Sequence, residues 1–164
     1  MRPVRPLVVL VSLVLLRAAL LAGPQNSHDH KTALDQRGQR VMGFDQAITA
    51  HHFILTTNGG RIEVTANDPE DAASIEQIRS HLRHIATMFG QGNFEAPMLV
   101  HAVQPPGVGG MKAAGGSIVY RFGTIERGAR ITIVASSPPG IDAVHEFLRF
   151  QIRDHASGDR LMVR

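Results

Sequence analysis

The sequence predicts a single α+β domain, in which two strand–strand–helix units form a four-stranded, mostly antiparallel sheet with two helices on one face. Three observations predict this fold. Apolar and polar residues alternate in four short segments, two longer segments have apolar residues spaced three and four apart, and glycine-rich turns separate paired strands. The two units span 51–90 and 117–158, and a connecting segment covers 91–116.

The N-terminal residues have the pattern of a secretory signal peptide. Met1–Gly23 combines a basic start, an apolar run over 7–16 and an end made of small residues. We therefore expect a periplasmic or secreted protein. The polar segment 24–43 has little apolar periodicity and is predicted to be a flexible arm, after which the folded domain covers 44–164.

The first unit is predicted to be a hairpin followed by a helix. Its strands cover 51–57 and 61–66, with a tight turn between them, because Asn58 and the two glycines after it accept positive φ angles. A helix is predicted over 69–89, since Pro69 suits a first helical position and Gly90 a helix stop. The apolar stripe of this helix is Ile75, Ile78, Leu82, Ile85 and Phe89.

The second unit repeats the order of the first. Strands are predicted over 117–124 and 129–135, and a helix over about 140–156. Arg61–Pro69 aligns with Arg130–Pro138 without a gap. An internal duplication and shared turn chemistry both account for this match, and the two alternatives stay open.

Each predicted hairpin has one apolar face that a helix must cover. The segment 91–116 between the units is rich in Gly and Pro, and a loop of this length in a small domain is either functional or disordered. The residues of the two apolar faces are Phe53, Leu55, Ile62 and Val64 in the first hairpin, and Tyr120, Phe122, Ile131 and Ile133 in the second.

Composition excludes several classes of function. The formal net charge is +3, but Arg2, Arg5 and Arg17 lie in the predicted leader. Subtracting these three from the 17 basic residues leaves 14, equal to the 14 acidic residues, so we expect no nucleic-acid partner. The apolar run of the leader is too short for a membrane span, and no stable membrane insertion is expected after cleavage. The absence of cysteine excludes disulfides and thiolate metal sites.

Nine histidines form the main candidate site. Without cysteine, a metal site would use imidazole, carboxylate and methionine ligands, and imidazole suits copper and zinc. His81 and His84 are three residues apart on the first predicted helix and can contact one ion, although a solvated helix flank has the same pattern. The predicted metal ligands, if the fold brings them together, are His51, His81, His84, His101 and His145.

Buried histidines held by a hydrogen bond are the alternative interpretation for His145 and His155, which share the apolar stripe of the second helix. Phe147 and Phe150 lie off that stripe, so a second surface must cover them. The connecting segment, the arm and another subunit are the candidates, and the last of these predicts a homodimer or a protein partner at Phe147 and Phe150.

No recognised catalytic or nucleotide-binding motif is present, and the sequence therefore favours a binding domain over an enzyme. The leading hypothesis is an exported domain that binds copper or zinc through histidines. One alternative is a structural or interaction module with incidental histidines. Another is a small enzyme that uses a histidine as general base.

Seven short motifs stand out in the sequence: Met42–Gln46, Thr49–Phe53, Ala66–Pro69, His81–Ile85, Pro97–Met98, Pro105–Val108 and His145–Ile152. Together they resemble a family of small exported bacterial proteins of no established activity. The resemblance covers 41–159 and implies the same fold and export. Some family members carry the label aspartate carbamoyltransferase, which this sequence does not support, because it is too short and lacks a Ser-Thr-Arg-Thr phosphate loop. Gly109, Gly110 and 113–116 depart from the family pattern and argue against a short helix there.

Overall fold

The computed structural model describes residues 23–163; the predicted leader, apart from Gly23, and Arg164 lie outside the described residues. Two short 3₁₀ turns, at Gln46–Ile48 and Gly115–Ser117, accompany the main elements. In chain order these elements are α1 (Gly23–Met42), β1 (Thr49–Thr56), β2 (Gly59–Ala66), α2 (Ala72–Gly90), α3 (Glu95–His101), α4 (Val108–Ala114), β3 (Ile118–Ile125), β4 (Gly128–Ala135) and α5 (Pro138–Asp154).

The four strands form one antiparallel sheet in the order β1-β2-β4-β3, which confirms the predicted α+β class. The two hairpins join through β2 and β4. Phe53 lies opposite Ile62, Ile62 opposite Ile131, and Ile131 opposite Phe122. Because side chains alternate along a strand, the apolar faces predicted for the two hairpins share one face of the sheet.

The long helices α2 and α5 both contact the sheet, and their buried side chains join those of the strands in one cluster. The whole predicted stripe of α2 is buried. This helix begins at Ala72, three residues later than predicted, because the Asp71 carboxylate accepts from Ser74 N–H while Asp68 accepts from Glu70 N–H in the turn before it. Ser137 caps α5 in the same way by accepting from Gly140 N–H.

Residues 24–42 are helical in the structure, where the sequence predicted a flexible arm. Leu34 of α1 is 2% exposed, and α1 packs on α3. Arg37 Nε donates to the Val100 carbonyl oxygen at 2.7 Å, and His30 Nε2 lies 2.9 Å from Asp154 Oδ1. Tertiary contacts to a few positions therefore hold a helix that has no strong apolar stripe of its own.

The connecting segment 91–116 contains the helices α3 and α4 and is neither a long loop nor disordered. Gly107 starts α4 with a φ of +84°, and a Cβ at this position would overlap the Ala143 carbonyl oxygen. Gly110 faces the Ala143 side chain. Gly110, one of the glycines that argued against a helix here, thus lets α4 approach α5 closely, and Gly107 does the same at the start of α4.

The chain itself covers the two phenylalanines on α5. Phe147 is 1% exposed and packs against the Phe89 and Phe94 rings, with centroids 6.0 and 6.5 Å away. The half-buried Phe150 ring lies 4.9 Å from the His101 ring. Phe147 therefore has no surface left for the partner predicted from the sequence, since Phe94 and His101 of the connecting segment provide the cover.

Residues after α5 lie along β1, which is an end strand of the sheet. The Phe53 backbone N–H donates to Asp159 Oδ2 at 2.9 Å, and His52 Nδ1 is 3.2 Å from Asp159 Oδ1. Ser157 Oγ donates to the same carboxylate. Over residues 23–163, no helix combines the length and the apolar character that a membrane crossing requires.

Candidate functional site

An apolar cavity of about 80 Å³ is lined by residues of the sheet, of α1, α2, α3 and α5, and by His155 just after α5. Most of its wall consists of aliphatic and aromatic side chains, among them Ile62, Ile85 and Phe147. We name it the histidine cavity after its polar wall residues. These are His51, His81, His101, Gln151 and His155.

The periodicity of strands and helices explains why each of these imidazoles faces the core. His51 lies on β1 two residues before Phe53 and therefore shares the core face of the sheet. His81 precedes Leu82 at the edge of the α2 stripe, and His101 is the last residue of α3. His155 lies three residues after Ile152 and extends the buried stripe of α5 past the end of the helix.

The imidazole rings contact one another and a phenylalanine. The rings of His51 and His155 are stacked, with centroids 5.5 Å apart and planes 14° apart. The His101 ring meets the His155 ring edge-on at 5.1 Å. The Phe44 ring packs against both His51 and His81, at 6.1 and 5.7 Å. The four imidazoles thus form one continuous aromatic wall.

Three of these imidazoles are neutral at physiological pH. Burial, followed by the nearby His81 ring, lowers the pKa of His51 to about 4. Burial lowers the pKa of His81 to about 4, with a further contribution from His84. Burial, followed by His51 and His101, lowers the pKa of His155 to about 3. The wall therefore presents uncharged rings to the cavity.

His101 is held at both ring nitrogens. Its Nδ1 makes a short hydrogen bond to Asp154 Oδ2, and its Nε2 lies 2.9 Å from Gln151 Oε1. Asp154 also bonds to His30 of α1. Burial raises the pKa of the Asp154 carboxyl, but the hydrogen bonds from His101 and His30 outweigh it and hold this pKa below its ordinary value. Asp154 is therefore ionised and fixes the orientation of the His101 ring.

Two nitrogen atoms of the cavity wall are buried without a hydrogen-bond partner among the described residues. They are His51 Nε2 and the amide nitrogen, Nε2, of Gln151. Buried polar side-chain atoms in folded proteins nearly always have a partner, so an exception calls for an explanation. Both residues line the histidine cavity, which makes a bound molecule one explanation.

A polar pocket of about 190 Å³ adjoins the cavity, and we name it the outer pocket. His51 and His155 line both spaces. The Lys31 ammonium in this pocket is paired with the Asp35 carboxylate at 2.7 Å. The stacked rings of His51 and His155 thus form a wall common to an apolar space and a polar one.

The structure brings some of the predicted metal ligands together and separates others. His51, His81 and His101 line the histidine cavity, whereas His84 is exposed on α2. His145 is buried elsewhere, and its Nε2–H donates to the Thr56 carbonyl oxygen at 2.8 Å. Within residues 23–163, no three His, Cys, Asp or Glu side chains are arranged to hold a metal ion. The five predicted ligands therefore do not form one preassembled centre.

Sequence interpretation missed two residues of the site, Gln151 and Asp154, and assigned His155 to the core. All three lie in the last turn of α5 or directly after it. Their spacings of three and four residues place Gln151, Asp154 and His155 on one side of a helix, a signal that the sequence does contain. Their contact with His101 joins residues about 50 positions apart, and nothing in the local pattern indicates it.

Comparisons of the chain with protein-family models, with curated proteins and with solved structures find no match. The resemblance to small exported bacterial proteins therefore stays a prediction.

Proposed function

We propose that this chain binds a small, uncharged and mostly apolar molecule in the histidine cavity. The observation that carries the proposal is the pair of buried, unpartnered nitrogen atoms, His51 Nε2 and Gln151 Nε2, in an otherwise apolar wall. An unsatisfied buried polar group costs about 1–3 kcal/mol. A ligand that offers a hydrogen-bonding group to one of these atoms removes that cost while it buries its apolar part.

The size of the cavity and its lack of charge define the ligand class. An apolar cavity of about 150 Å³ holds benzene, which has six non-hydrogen atoms, so a cavity of about 80 Å³ suits a molecule of about three or four non-hydrogen atoms. No Lys, Arg, Asp or Glu side chain lines the described cavity, and its buried imidazoles are neutral where their pKa is lowered. A charged ligand would lose its hydration there without gaining a counter-charge.

Backbone amide NMR tests the binding proposal. The protein is titrated with acetone, 2-propanol and acetamide, and with acetate and methylammonium as charged counterparts of similar size. We expect saturable shifts at amides around the cavity with the neutral compounds, and none with the charged ones. Saturation by no neutral compound, or equal binding of the charged ones, contradicts the proposal.

A matched pair of variants tests the location of the binding site. Ala96 lines the cavity on α3, so Ala96→Leu fills it and we expect affinity to fall at least about tenfold. Ala73→Leu introduces the same side chain at an exposed position of α2, where we expect no effect. Equal affinities in the two variants would exclude the histidine cavity as the site.

Copper or zinc binding is the second candidate, favoured by the unpartnered Nε2 atom of His51 and by the neutral form of the rings, which is the form that binds metal. It requires side-chain rearrangement, because no three-ligand set is assembled among the described residues. Titration of His51→Ala and of His81→Ala/His84→Ala with Cu²⁺ and Zn²⁺ tests it, with His52→Ala as control. Affinities equal to that of the control exclude these ligands.

We also propose that the protein acts outside the cytoplasm, in the periplasm or after secretion. The support is the leader pattern of Met1–Gly23. Mass spectrometry of the protein from a periplasmic fraction tests this proposal. An intact N-terminus retained in the cytosol contradicts it.

A further inference from the structure

We propose that the histidine cavity selects a ligand whose polar group accepts a hydrogen bond, and that an ion pair between His101 and Asp154 imposes this choice by orienting the Gln151 amide. The ligand class is a small ketone, aldehyde or nitrile, which accepts hydrogen bonds and donates none. The inference rests on the proposed function and deepens it, because it names the group that the ligand must offer. Gln151 is the binding residue, and His101 and Asp154 are positioning residues.

The two hydrogen bonds of the His101 ring define its charge. The ionised Asp154 carboxylate can only accept from Nδ1, and the Gln151 amide oxygen can only accept from Nε2. Both ring nitrogens therefore carry protons, and His101 is an imidazolium. In this it differs from the neighbouring His155 ring, which it meets edge-on and which is neutral because burial lowers its pKa to about 3.

The Asp154 carboxylate provides the counter-charge that a buried imidazolium needs. The side chains of His101 and Asp154 are only 1% and 16% exposed, and a short hydrogen bond joins them. A hydrogen bond between two charged groups is about twice as strong as one between neutral groups. The second carboxylate oxygen accepts from His30 Nε2. The His101–Asp154 pair carries no net charge, so a wall that includes it still gives no counter-charge to an ion.

The imidazolium determines which end of the Gln151 amide faces it. An amide N–H group opposite the ring N–H group would place two donors face to face, so the amide oxygen lies at His101 Nε2, 2.9 Å away. The amide nitrogen is then left for the cavity. It is buried in the cavity wall and has no hydrogen-bond partner among the described residues. The charge of one ring thus decides that Gln151 offers the ligand a donor.

A lone N–H group in an apolar wall favours a ligand with an acceptor. A carbonyl or nitrile group satisfies the Gln151 nitrogen and has no donor of its own to leave unpaired. The other unpartnered atom, His51 Nε2, does not discriminate in this way, because a neutral imidazole can present either a donor or an acceptor there. The choice of ligand class therefore depends on Gln151.

A pair of compounds that differ in one atom tests the role of Gln151. Acetone and 2-methylpropene have the same shape and four non-hydrogen atoms each, but only acetone has an acceptor. Backbone amide NMR measures both affinities in wild type and in Gln151→Glu, which keeps the size of the side chain and replaces its NH₂ group by an oxygen. We expect Gln151→Glu to lower the affinity for acetone at least about tenfold and to leave that for 2-methylpropene unchanged.

Asp154→Asn tests the positioning role of the ion pair. Asparagine has the same size but no charge, so we expect the His101 ring to lose the Nε2 proton and the Gln151 amide to reverse, with its oxygen toward the cavity. Affinity for acetone should fall at least about tenfold. Affinity for 2-propanol should not fall, because its hydroxyl group can donate to that oxygen. Nitrogen-15 NMR should find two protonated nitrogens in the His101 ring of wild type and one in Asp154→Asn, which a merely structural role would not produce.

His30→Ala is the matched control for Asp154→Asn. It removes the other hydrogen bond of the Asp154 carboxylate and keeps the charge of that group, and the His30 side chain is 51% exposed and outside the cavity wall. We expect wild-type affinities and two protonated nitrogens in the His101 ring. Backbone amide spectra of each variant establish that it is folded. Equal losses of acetone affinity in His30→Ala and Asp154→Asn overturn the role of the Asp154 charge.

The outcomes separate this inference from the proposed function. Acetone binding of equal affinity in wild type and Gln151→Glu overturns the role of Gln151 and leaves binding in place. A His101 ring with a single protonated nitrogen in wild type overturns the ion pair, whether or not a ligand binds. Binding of 2-methylpropene without binding of acetone overturns the choice of an acceptor. Binding of no neutral compound overturns both proposals.

Discussion

The Nε2–H group of His145 donates to the Thr56 carbonyl oxygen, whereas His101 is held between a carboxylate and an amide. Both residues are buried. His145 connects α5 to the end of β1, and its hydrogen bond explains its burial completely. His101 has a carboxylate on one ring nitrogen and an amide oxygen on the other, and its side chain lines the histidine cavity. The same residue type thus takes a structural role in one place and lines the candidate site in the other.

The neutral histidines predict that stability depends on pH. The pKa values of His51, His81 and His155 are about 4, 4 and 3 when folded, against 6.5 when unfolded. The unfolded chain therefore binds more protons than the folded chain below about pH 6.5. The resulting stabilisation is complete above that pH and is lost as the pH falls toward about 4. Asp35 opposes the shift of His51 and Asp154 that of His155, but burial is larger in both cases.

Urea denaturation between about pH 7.5 and about pH 4.5 measures this dependence before most ordinary carboxylates titrate. We expect the free energy of unfolding to fall steadily through the range. His155→Phe removes one titrating ring and keeps an aromatic side chain, and it should reduce the slope. Gln77→Ala, at an exposed position of α2 that does not titrate, should leave the slope unchanged. A free energy of unfolding that is constant over the range contradicts the prediction.

At the scale of elements, periodicity predicted the four strands and the helices α2 and α5, because each buries one regular face. Ile62 and Val64 alternate with polar neighbours, and Ile78 and Leu82 are four apart. The helices α1, α3 and α4 were not predicted, because few of their positions are buried and their cover comes from distant residues. Leu34 is one of two fully buried positions over 29–43, too few to produce a stripe.

A pair of glycines in or next to α4 gives a test of this contact between elements. Gly107→Ala places a Cβ at a φ of +84° and against the Ala143 carbonyl oxygen. We expect a loss of stability of more than about 1 kcal/mol from the backbone strain, with the overlap adding to it. Gly109 lies in the same helix, and a Cβ there meets no atom within 4 Å. We expect Gly109→Ala to raise the free energy of unfolding by up to about 1 kcal/mol, because alanine has the higher helix propensity.

Chemical denaturation of both alanine variants and of wild type measures the difference. We expect the free energy of unfolding to fall for Gly107→Ala and to rise for Gly109→Ala, although the two positions are only two residues apart. Equal effects would mean that α4 does not approach α5 as closely as the structure describes.

At the scale of the whole molecule, the histidine cavity draws its wall from both strand–strand–helix units, from α1 and from the connecting segment. Sequence reasoning identified histidines as the candidate residues but could not choose among them. Which histidines line the cavity depends on long-range contacts, such as those of Asp154 with His101 and of Phe44 with His51. Their charge depends on burial, which lowers the pKa of His51, His81 and His155, so that these rings are neutral in the wall of an apolar cavity.

The carboxylate of Asp159 has a consequence for how copies of this protein meet. β1 is an end strand, and a free backbone N–H on such a strand invites the strand of another molecule to pair with it. Asp159 accepts a hydrogen bond from the Phe53 N–H and so leaves it unavailable to another strand.

Asp159→Ala should therefore increase self-association relative to wild type in sedimentation experiments at rising concentration. Asp142→Ala, a change at an exposed position of α5, should not. Identical sedimentation of the three proteins would contradict this role. We therefore expect one side chain after the last helix to oppose strand-to-strand association at β1.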